Sequence, residues 1–285
     1  MALEDLIAVT LARPLPSEIT AMANHIMAGR SGVAAVLAYG SCLRGVSTRE
    51  SLIDLYVLTD DGAAVSASSF SRIGCQIAPP NVYYAECDAG GLTCRAKYAV
   101  LPLALFQRWM RADNPYFWAR FAQPSGLVFA ANETARAGVI SAIGDAVKTM
   151  ASAARSVAPG EADALALWTA GFAATYATEL RVETAARAQS IVAAEADYYR
   201  QASQALGTVA PLRGSWSGRR LRGKLWSVAR LTKAAFTFSG GADYLAWKIE
   251  RHSGHKVELT AWQRRHPVLA GLTLLPRLLR QGTIR

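Results

Sequence analysis

A glycine–serine pair and one aspartate are the residues of this sequence best suited to chemistry on phosphates. Gly40 and Ser41 follow an apolar run that ends at Tyr39, and Asp54 lies near the start of the next apolar run, with twelve residues between Ser41 and Asp54. Glycine lets backbone N–H groups approach phosphate oxygens, and serine adds a hydroxyl donor. A neighbouring carboxylate can hold Mg²⁺, which neutralises the charge on a leaving pyrophosphate. An ordinary tight turn beside a strand-edge aspartate is the alternative interpretation.

The order of strand, Gly-Ser turn, spacer and acid-bearing strand resembles the core signature of the nucleotidyltransferase superfamily. That superfamily commonly has a second acid two residues after the first, whereas this chain has Tyr56 there. A phenol cannot bind Mg²⁺ as a carboxylate does. Glu86, an acid in the apolar run 82–86, is the candidate for the missing ligand, with a solvated strand-end glutamate as the alternative. The resemblance therefore predicts a Mg²⁺ site on Asp54 and Glu86.

Three further motifs narrow the resemblance to one family. The stretches 95–101 (RAKYAVL), 116–124 (YFWARFAQP) and 176–183 (YATELRVE) follow the Gly-Ser turn in that order. Together they resemble the mitochondrial-type CDP-diacylglycerol synthase family, the translocator assembly and maintenance family of phosphatidate cytidylyltransferases, and its bacterial branch. The resemblance spans most of residues 33–200.

That resemblance implies an enzyme that converts CTP and phosphatidate into CDP-diacylglycerol and pyrophosphate. Asp54 would ligate Mg²⁺, and Lys97 would offset phosphate charge as a point-charge donor. Solvated or ion-paired side chains remain the alternative for Lys97 and for the residues of the stretch 176–183. The residues that the resemblance assigns to the nucleotide are Tyr39, Gly40, Ser41, Glu179 and Arg181.

The positive charge of the chain is concentrated near its end. The net charge is +10, and residues 211–285 hold 15 Lys+Arg but only 3 Asp+Glu. Such asymmetry indicates an anionic partner, either nucleic acid or an acidic membrane. The segment 219–238 mixes basic residues with Leu, Trp and Phe at helical spacing, which favours an anionic lipid surface over a packed helix with a solvated basic face. The residues predicted to face lipid are Arg220, Arg222, Lys224, Trp226, Arg230 and Lys233.

Composition excludes several classes of protein. With 285 residues, 52% of them hydrophobic and 18% charged, the chain can bury a core and is not disordered. Its longest charge-free apolar run, 164–178, is shorter than the ~20 residues of a spanning helix. No secretory signal is visible and the four cysteines lack metal-site spacing. We expect a cytoplasmic protein, peripheral on the inner face of the membrane; the oligomeric state stays open.

The elements that must position these residues alternate between strands and helices. Apolar runs predict strands over 33–38, 52–59, 82–86 and 97–101, and helical spacing predicts helices over 1–30, 103–111, 116–121 and, as two or three helices, 132–206. A Gly/Ser/Arg-rich break over 213–223 then precedes a basic helix over 224–238. The pattern indicates an α+β fold. The predicted parts are a nucleotidyltransferase-like mixed-sheet domain (1–130), a helical, winged-helix-like domain (131–212) and a basic amphipathic membrane-interfacial segment (213–285).

Three other functions remain open. The chain could use another nucleotide or another phosphorylated lipid. This possibility stays open because Tyr56 stands where the superfamily commonly has a second acid. It could be an inactive module that binds nucleotide without turnover. It could also act on nucleic acid, because the superfamily includes polymerases and the tail is basic. No recognised nucleic-acid-binding module is present, so no nucleic-acid partner is expected.

Overall fold

A mixed five-stranded sheet lies at the centre of the protein. A computed structural model describes residues 1–43, 52–179 and 185–237, with isolated positions at 242, 246, 259, 260, 262 and 263. The strand order is β3–β4–β2–β1–β5, in which β2 and β4 are parallel and the other neighbours antiparallel. The strands are β1 (Val33–Tyr39), β2 (Ile53–Thr59), β3 (Asn81–Asp88), β4 (Thr93–Pro102) and β5 (Gly126–Ala130).

Helices cover the sheet and continue beyond it. On one face, Tyr56 of β2 packs against aromatic rings of α4 and α5. On the other, Tyr98 of β4 stacks on Tyr83 beneath Arg30, which follows α2. The helices are α1 (Leu3–Leu11), α2 (Ser17–Ala28), α3 (Ser69–Ile77), α4 (Leu103–Trp109), α5 (Pro115–Phe121), α6 (Glu133–Val157), α7 (Ala164–Tyr176), α8 (Ala185–Ala194), α9 (Ala196–Leu206) and α10 (Trp216–Thr237).

The α+β fold class predicted from the sequence is confirmed, with differences in detail. The strands and the first helices lie where the apolar runs placed them. Helix α3 and strand β5 were not predicted, and the described part of residues 132–206 contains four helices rather than two or three. Residues 131–179 and 185–212, the described part of the predicted winged-helix-like domain, contain helices only.

The start of the basic helix was predicted wrongly. Helix α10 begins at Trp216, within the stretch predicted as a break up to residue 223. Glycine is useful inside this helix because Gly223 lies directly against the end of α7. A Cβ at residue 223 would come within 2.6 Å of the Thr178 carbonyl oxygen, so any larger residue would push the two helices apart.

One continuous hydrophobic core joins the sheet to the later helices. Helix α6 packs against α1, α4, α5 and α7, and the buried cluster runs from the sheet to Tyr199 of α9. The Asn132 side chain accepts a hydrogen bond from the Ala135 N–H over 2.9 Å and so fixes where α6 begins. The domain boundaries stay predictions. None of the helices in the part of the chain that the structure describes is long and apolar enough to cross a bilayer.

Candidate functional site

A cavity of about 210 Å³ lies where the ends of β1 and β2 meet α5, α7 and α8. It gathers five residues that the sequence predicted for nucleotide or metal: Tyr39, Gly40, Ser41, Asp54 and Glu179. The other lining residues come from α5 and the turn that follows it, α7 and α8. Most of their polar groups belong to Tyr116, Arg120, Gln123, Tyr176 and Arg187.

The Gly-Ser turn forms one end of this cavity. Strand β1 ends at Tyr39, whose register partner on β2 is Asp54, and a short 3-10 turn follows from Gly40 to Leu43. Gly40 has a φ of +86°, which L side chains rarely adopt. A Cβ on Gly40 would also lie 3.3 Å from the Asp54 Oδ2 atom. Glycine is therefore needed both for the turn and for the close approach of the carboxylate.

Asp54 presents its carboxylate to the cavity from a mostly buried position. Burial raises the pKa of Asp54, and the charges of Lys97 and Arg120 act against that rise. Lys97 is the register partner of Asp54 on β4, although it does not line the cavity. Among the described residues, no side chain is placed to donate a hydrogen bond to the Asp54 carboxylate. The carboxylate oxygens thus remain available to a ligand.

The side chains of Tyr56 and Arg120 occupy the place on β2 where the superfamily pattern has a second acid. Tyr56 is fully buried, and Arg120 Nη1 donates a hydrogen bond to its hydroxyl oxygen over 3.2 Å. Burial raises the pKa of Tyr56, so this side chain stays a neutral phenol. The slot therefore holds a fixed cation beside Asp54 instead of a second carboxylate.

Glu86 does not join Asp54. It lies on β3, which β4 separates from β2, so strand spacing alone puts the two acids roughly 10 Å apart. Its carboxylate accepts hydrogen bonds from Arg95 Nε over 3.0 Å and from the Tyr84 hydroxyl over 2.6 Å. The described residues contain no group of three or more His, Cys, Asp or Glu arranged to hold a metal ion.

This donor set fits one Mg²⁺ and does not fit a site with two neighbouring strand carboxylates. Mg²⁺ is commonly bound through one or two carboxylates together with substrate phosphates and water. Asp54 supplies one cavity-facing carboxylate, with the Ser41 hydroxyl lining the same cavity. A Mg²⁺ on Asp54 would complete its coordination with phosphate oxygens and water.

Helix α5 supplies site residues that the sequence analysis did not single out. The Asn114 side chain accepts from the Tyr116 N–H over 3.0 Å and Pro115 occupies the first turn, which together fix the start of α5. Tyr116 and Arg120 are then four positions apart on one helix face. The Arg120 guanidinium carbon lies 4.4 Å from the Tyr116 ring centroid. The sequence signal that could have identified this part of the site is Arg120, a charged residue within the aromatic-rich segment of α5.

Helix α10 turns several of its predicted lipid-facing residues toward the protein, which corrects that prediction. Arg230 lies over the Tyr116 ring with its guanidinium carbon 3.6 Å from the centroid. Trp226 packs edge-on against Trp109 at 5.6 Å between centroids. Lys233 donates hydrogen bonds to the Ala78 and Pro80 carbonyl oxygens and the Asn81 Oδ1 atom. Arg230, Trp226 and Lys233 therefore contact other parts of the protein. The face of α10 that carries them is not available for contact with a membrane.

The opposite face of α10 is exposed and apolar. Leu221, Leu225, Val228 and Leu231 are each 50–63% exposed and follow helical spacing along one side. We call these four residues the outer face of α10. Arg220 and Lys224 are exposed at its border, while Arg222 pairs with Asp113. The remaining predicted site residue, Arg181, lies outside the described residues.

No protein-family model matches the chain, and no curated protein matches it. A nucleotidyltransferase-like protein from Exiguobacterium sibiricum is similar over 95% of this chain and 93% of its own, with 13% sequence identity and a TM-score of 0.29. A TM-score this low does not establish a shared fold.

Proposed function

We propose that this chain transfers a nucleotidyl group from a nucleoside triphosphate to a phosphorylated acceptor and releases pyrophosphate. The observation that carries the proposal is the single cavity in which the Gly40–Ser41 turn, the Asp54 carboxylate and the Arg120 cation meet. A glycine–serine turn, a carboxylate for Mg²⁺ and a fixed cation are together complementary to a triphosphate. The order of the sequence motifs supports CTP as the nucleotide and phosphatidate as the acceptor.

The residues present suit this reaction because it needs no strong base. A phosphate oxygen of the acceptor is already anionic near neutral pH. It attacks the α-phosphorus, and the new P–O bond forms as the bond to pyrophosphate breaks. Arg120 and Lys97 offset the negative charge, and the Gly40–Ser41 turn orients the triphosphate. Mg²⁺, when bound at Asp54, would supply additional charge neutralisation on the phosphates.

The outer face of α10 supports peripheral contact with an anionic membrane, where phosphatidate resides. Four exposed apolar side chains bordered by Arg220 and Lys224 suit insertion at a headgroup boundary. In this proposal the protein is cytoplasmic and sits on the inner face of the membrane. Its lipid contact comes from the leucines and valine of α10, and the cations at the border add electrostatic attraction.

A second candidate is a module that binds nucleotide without turnover. The pairing of Tyr56 with Arg120 favours it, because the place of a second metal-binding acid is filled by a cation. Both candidates predict nucleotide binding in the same cavity. They differ in whether pyrophosphate is released.

Pyrophosphate release by the purified full chain separates the candidates. The assay contains Mg²⁺, phosphatidate in mixed micelles, and CTP, ATP, GTP or UTP in turn. We expect release with CTP and phosphatidate together with a CDP-lipid product, and loss of release in Asp54→Asn. Asp60→Asn, which changes an exposed aspartate at the end of β2, is the matched control. Nucleotide binding with no release by folded protein would leave the inactive module.

A further inference from the structure

Two arginines from different helices converge on Tyr116, which lines the cavity. Arg120 lines the cavity too, whereas Arg230 lies over the Tyr116 ring without being a lining residue. Arg120 lies 4.4 Å and Arg230 3.6 Å from the Tyr116 ring centroid, measured from each guanidinium carbon. Cation–π attraction accounts for part of this arrangement. It does not by itself offset the repulsion between two guanidinium groups held over the same ring.

The Arg230 side chain has unused hydrogen-bonding capacity. Among the residues that the structure describes, its buried Nη1 atom has no hydrogen-bond partner, and its Nη2 atom donates to the Ser227 hydroxyl at 3.4 Å. A buried guanidinium donor without an acceptor is costly, since charged groups lose more than neutral ones when left unpaired. An anionic ligand that accepts from Nη1 would remove that cost.

The surroundings of Tyr116 are strongly positive. Burial raises the pKa of the Tyr116 phenol, but the charges of Arg120, Arg230 and Lys97 outweigh burial and lower it overall. A site that favours the anionic form of its own phenol also favours an anionic ligand. Among the described lining residues, the acids are Asp54 and Glu179.

We propose that Arg120, Arg230 and the Tyr116 hydroxyl form a phosphate-binding subsite, to which α10 contributes Arg230. A phosphate group matches a pair of guanidinium donors in shape and charge. The inference rests on the proposed function, because that reaction offers two sources of such a group. One is the triphosphate that leaves as pyrophosphate, and the other is the phosphate monoester of the acceptor.

Calorimetric titration of the full chain with inorganic pyrophosphate and with glycerol 3-phosphate tests the subsite. We expect Arg230→Gln to weaken at least one of these ligands tenfold or more. Arg108→Gln changes an exposed arginine of α4 that is not part of the cluster around Tyr116, and this variant should bind both ligands as the parent does. Arg230→Met keeps an unbranched stem against Tyr116 and replaces Arg230→Gln should the latter not stay folded.

The pattern of loss identifies the source of the phosphate. A loss confined to pyrophosphate assigns the subsite to the triphosphate, and a loss confined to glycerol 3-phosphate assigns it to the acceptor. Equal binding by the Arg230 and Arg108 variants, or no binding of either ligand by the parent, would overturn the subsite. Pyrophosphate affinity that depends on Arg230 in a protein without turnover would uphold the subsite and reject nucleotidyl transfer.

Discussion

The Arg120 guanidinium donates a hydrogen bond to the Tyr56 hydroxyl over 3.2 Å, beside Asp54 near the start of β2. This contact places a permanent positive charge where a second metal-binding carboxylate was sought. A phosphate bound in the cavity would thus face the positive charge of Arg120 whether or not a divalent cation is also bound. Binding and turnover should therefore differ in their need for metal.

Nucleotide binding should persist after divalent cations are removed. In excess EDTA we expect the affinity for CTP to fall by no more than about tenfold, because Arg120 still opposes the phosphate charge. Arg120→Gln should lose at least a further tenfold under the same conditions, whereas Arg108→Gln should not. Calorimetric titration with and without Mg²⁺ provides the measurement. Complete loss of CTP binding in EDTA by the parent would contradict this role of Arg120.

Replacing Gly40 should damage the site beyond the strain of its backbone. Gly40→Ala meets both an unfavourable φ and the Asp54 carboxylate, 3.3 Å from the added Cβ. Gly91→Ala is the matched control, since Gly91 has a φ of +81° but nothing within 4 Å of its Cβ position. Both variants should lose about 1 kcal/mol of unfolding free energy.

Only Gly40→Ala should also lose turnover, by about 10- to 100-fold, because a displaced Asp54 misplaces its ligands. Urea unfolding and pyrophosphate release measure the two effects separately. Equal turnover in the two variants would show that the close approach of Gly40 to Asp54 is unimportant.

The buried Asp54 carboxylate should make the protein less stable at neutral pH than it is without that charge. Because burial raises the pKa of Asp54, the folded chain holds this proton more tightly than the unfolded chain. The resulting stability is complete below the ordinary aspartate pKa of about 3.9 and is lost as pH rises through the higher folded value.

Asp54→Asn is therefore expected to raise the unfolding free energy at pH 7 by about 1 kcal/mol, a typical gain when a functional group is removed. The gain should shrink toward pH 3.5, where the parent carboxylate is protonated. Urea unfolding across this range, with Asp60→Asn as the exposed control, makes the measurement. A gain that does not change with pH would rule out this electrostatic cause.

The outer face of α10 should determine binding to vesicles. Leu225→Glu places a charge within the four exposed apolar residues and should reduce cosedimentation with anionic vesicles at least fivefold. Val9→Glu changes an equally exposed apolar residue of α1 and serves as control. Unchanged cosedimentation of Leu225→Glu would assign membrane contact to another surface.

Lys233 should contribute to stability rather than to lipid contact. Lys233→Met removes the donor that serves the Ala78, Pro80 and Asn81 oxygens, and leaves three acceptors without it. We expect a loss of about 2 kcal/mol in unfolding free energy. Lys224→Met, at an exposed lysine of the same helix, should change stability by less than about 0.5 kcal/mol. Urea unfolding compares the two.

Four of the five described strands and the Gly-Ser turn could be predicted because they leave local signals. Buried strands appear in the sequence as uninterrupted apolar runs, and the Gly40–Ser41 pair directly follows one such run. Helix α3 leaves a different signal, since its large apolar residues Phe70, Ile73 and Ile77 follow helical spacing, yet all three are exposed to solvent.

The roles of α10 and of Arg120 could not be predicted from the sequence, because they depend on contacts between residues that are far apart along the chain. An amphipathic pattern shows that a helix has two unlike faces, but it does not show which of them is turned inward. Lys233 is turned inward, where its ammonium group donates a hydrogen bond to the Asn81 Oδ1 atom, 152 positions away. Arg120 and Tyr56 are 64 positions apart. The local sequence around either member of such a pair does not indicate which residue the other member is.

One helix carries the outer apolar face and, on its opposite side, Arg230 against Tyr116. Its first turns are also tied by Arg219 and Arg222 to Asp113, just ahead of α5. If the proposed membrane contact and the proposed phosphate subsite both exist, α10 would belong to both of them. Any factor by which a vesicle surface changed the affinity for pyrophosphate would then equal the factor by which pyrophosphate changed the affinity for the vesicle.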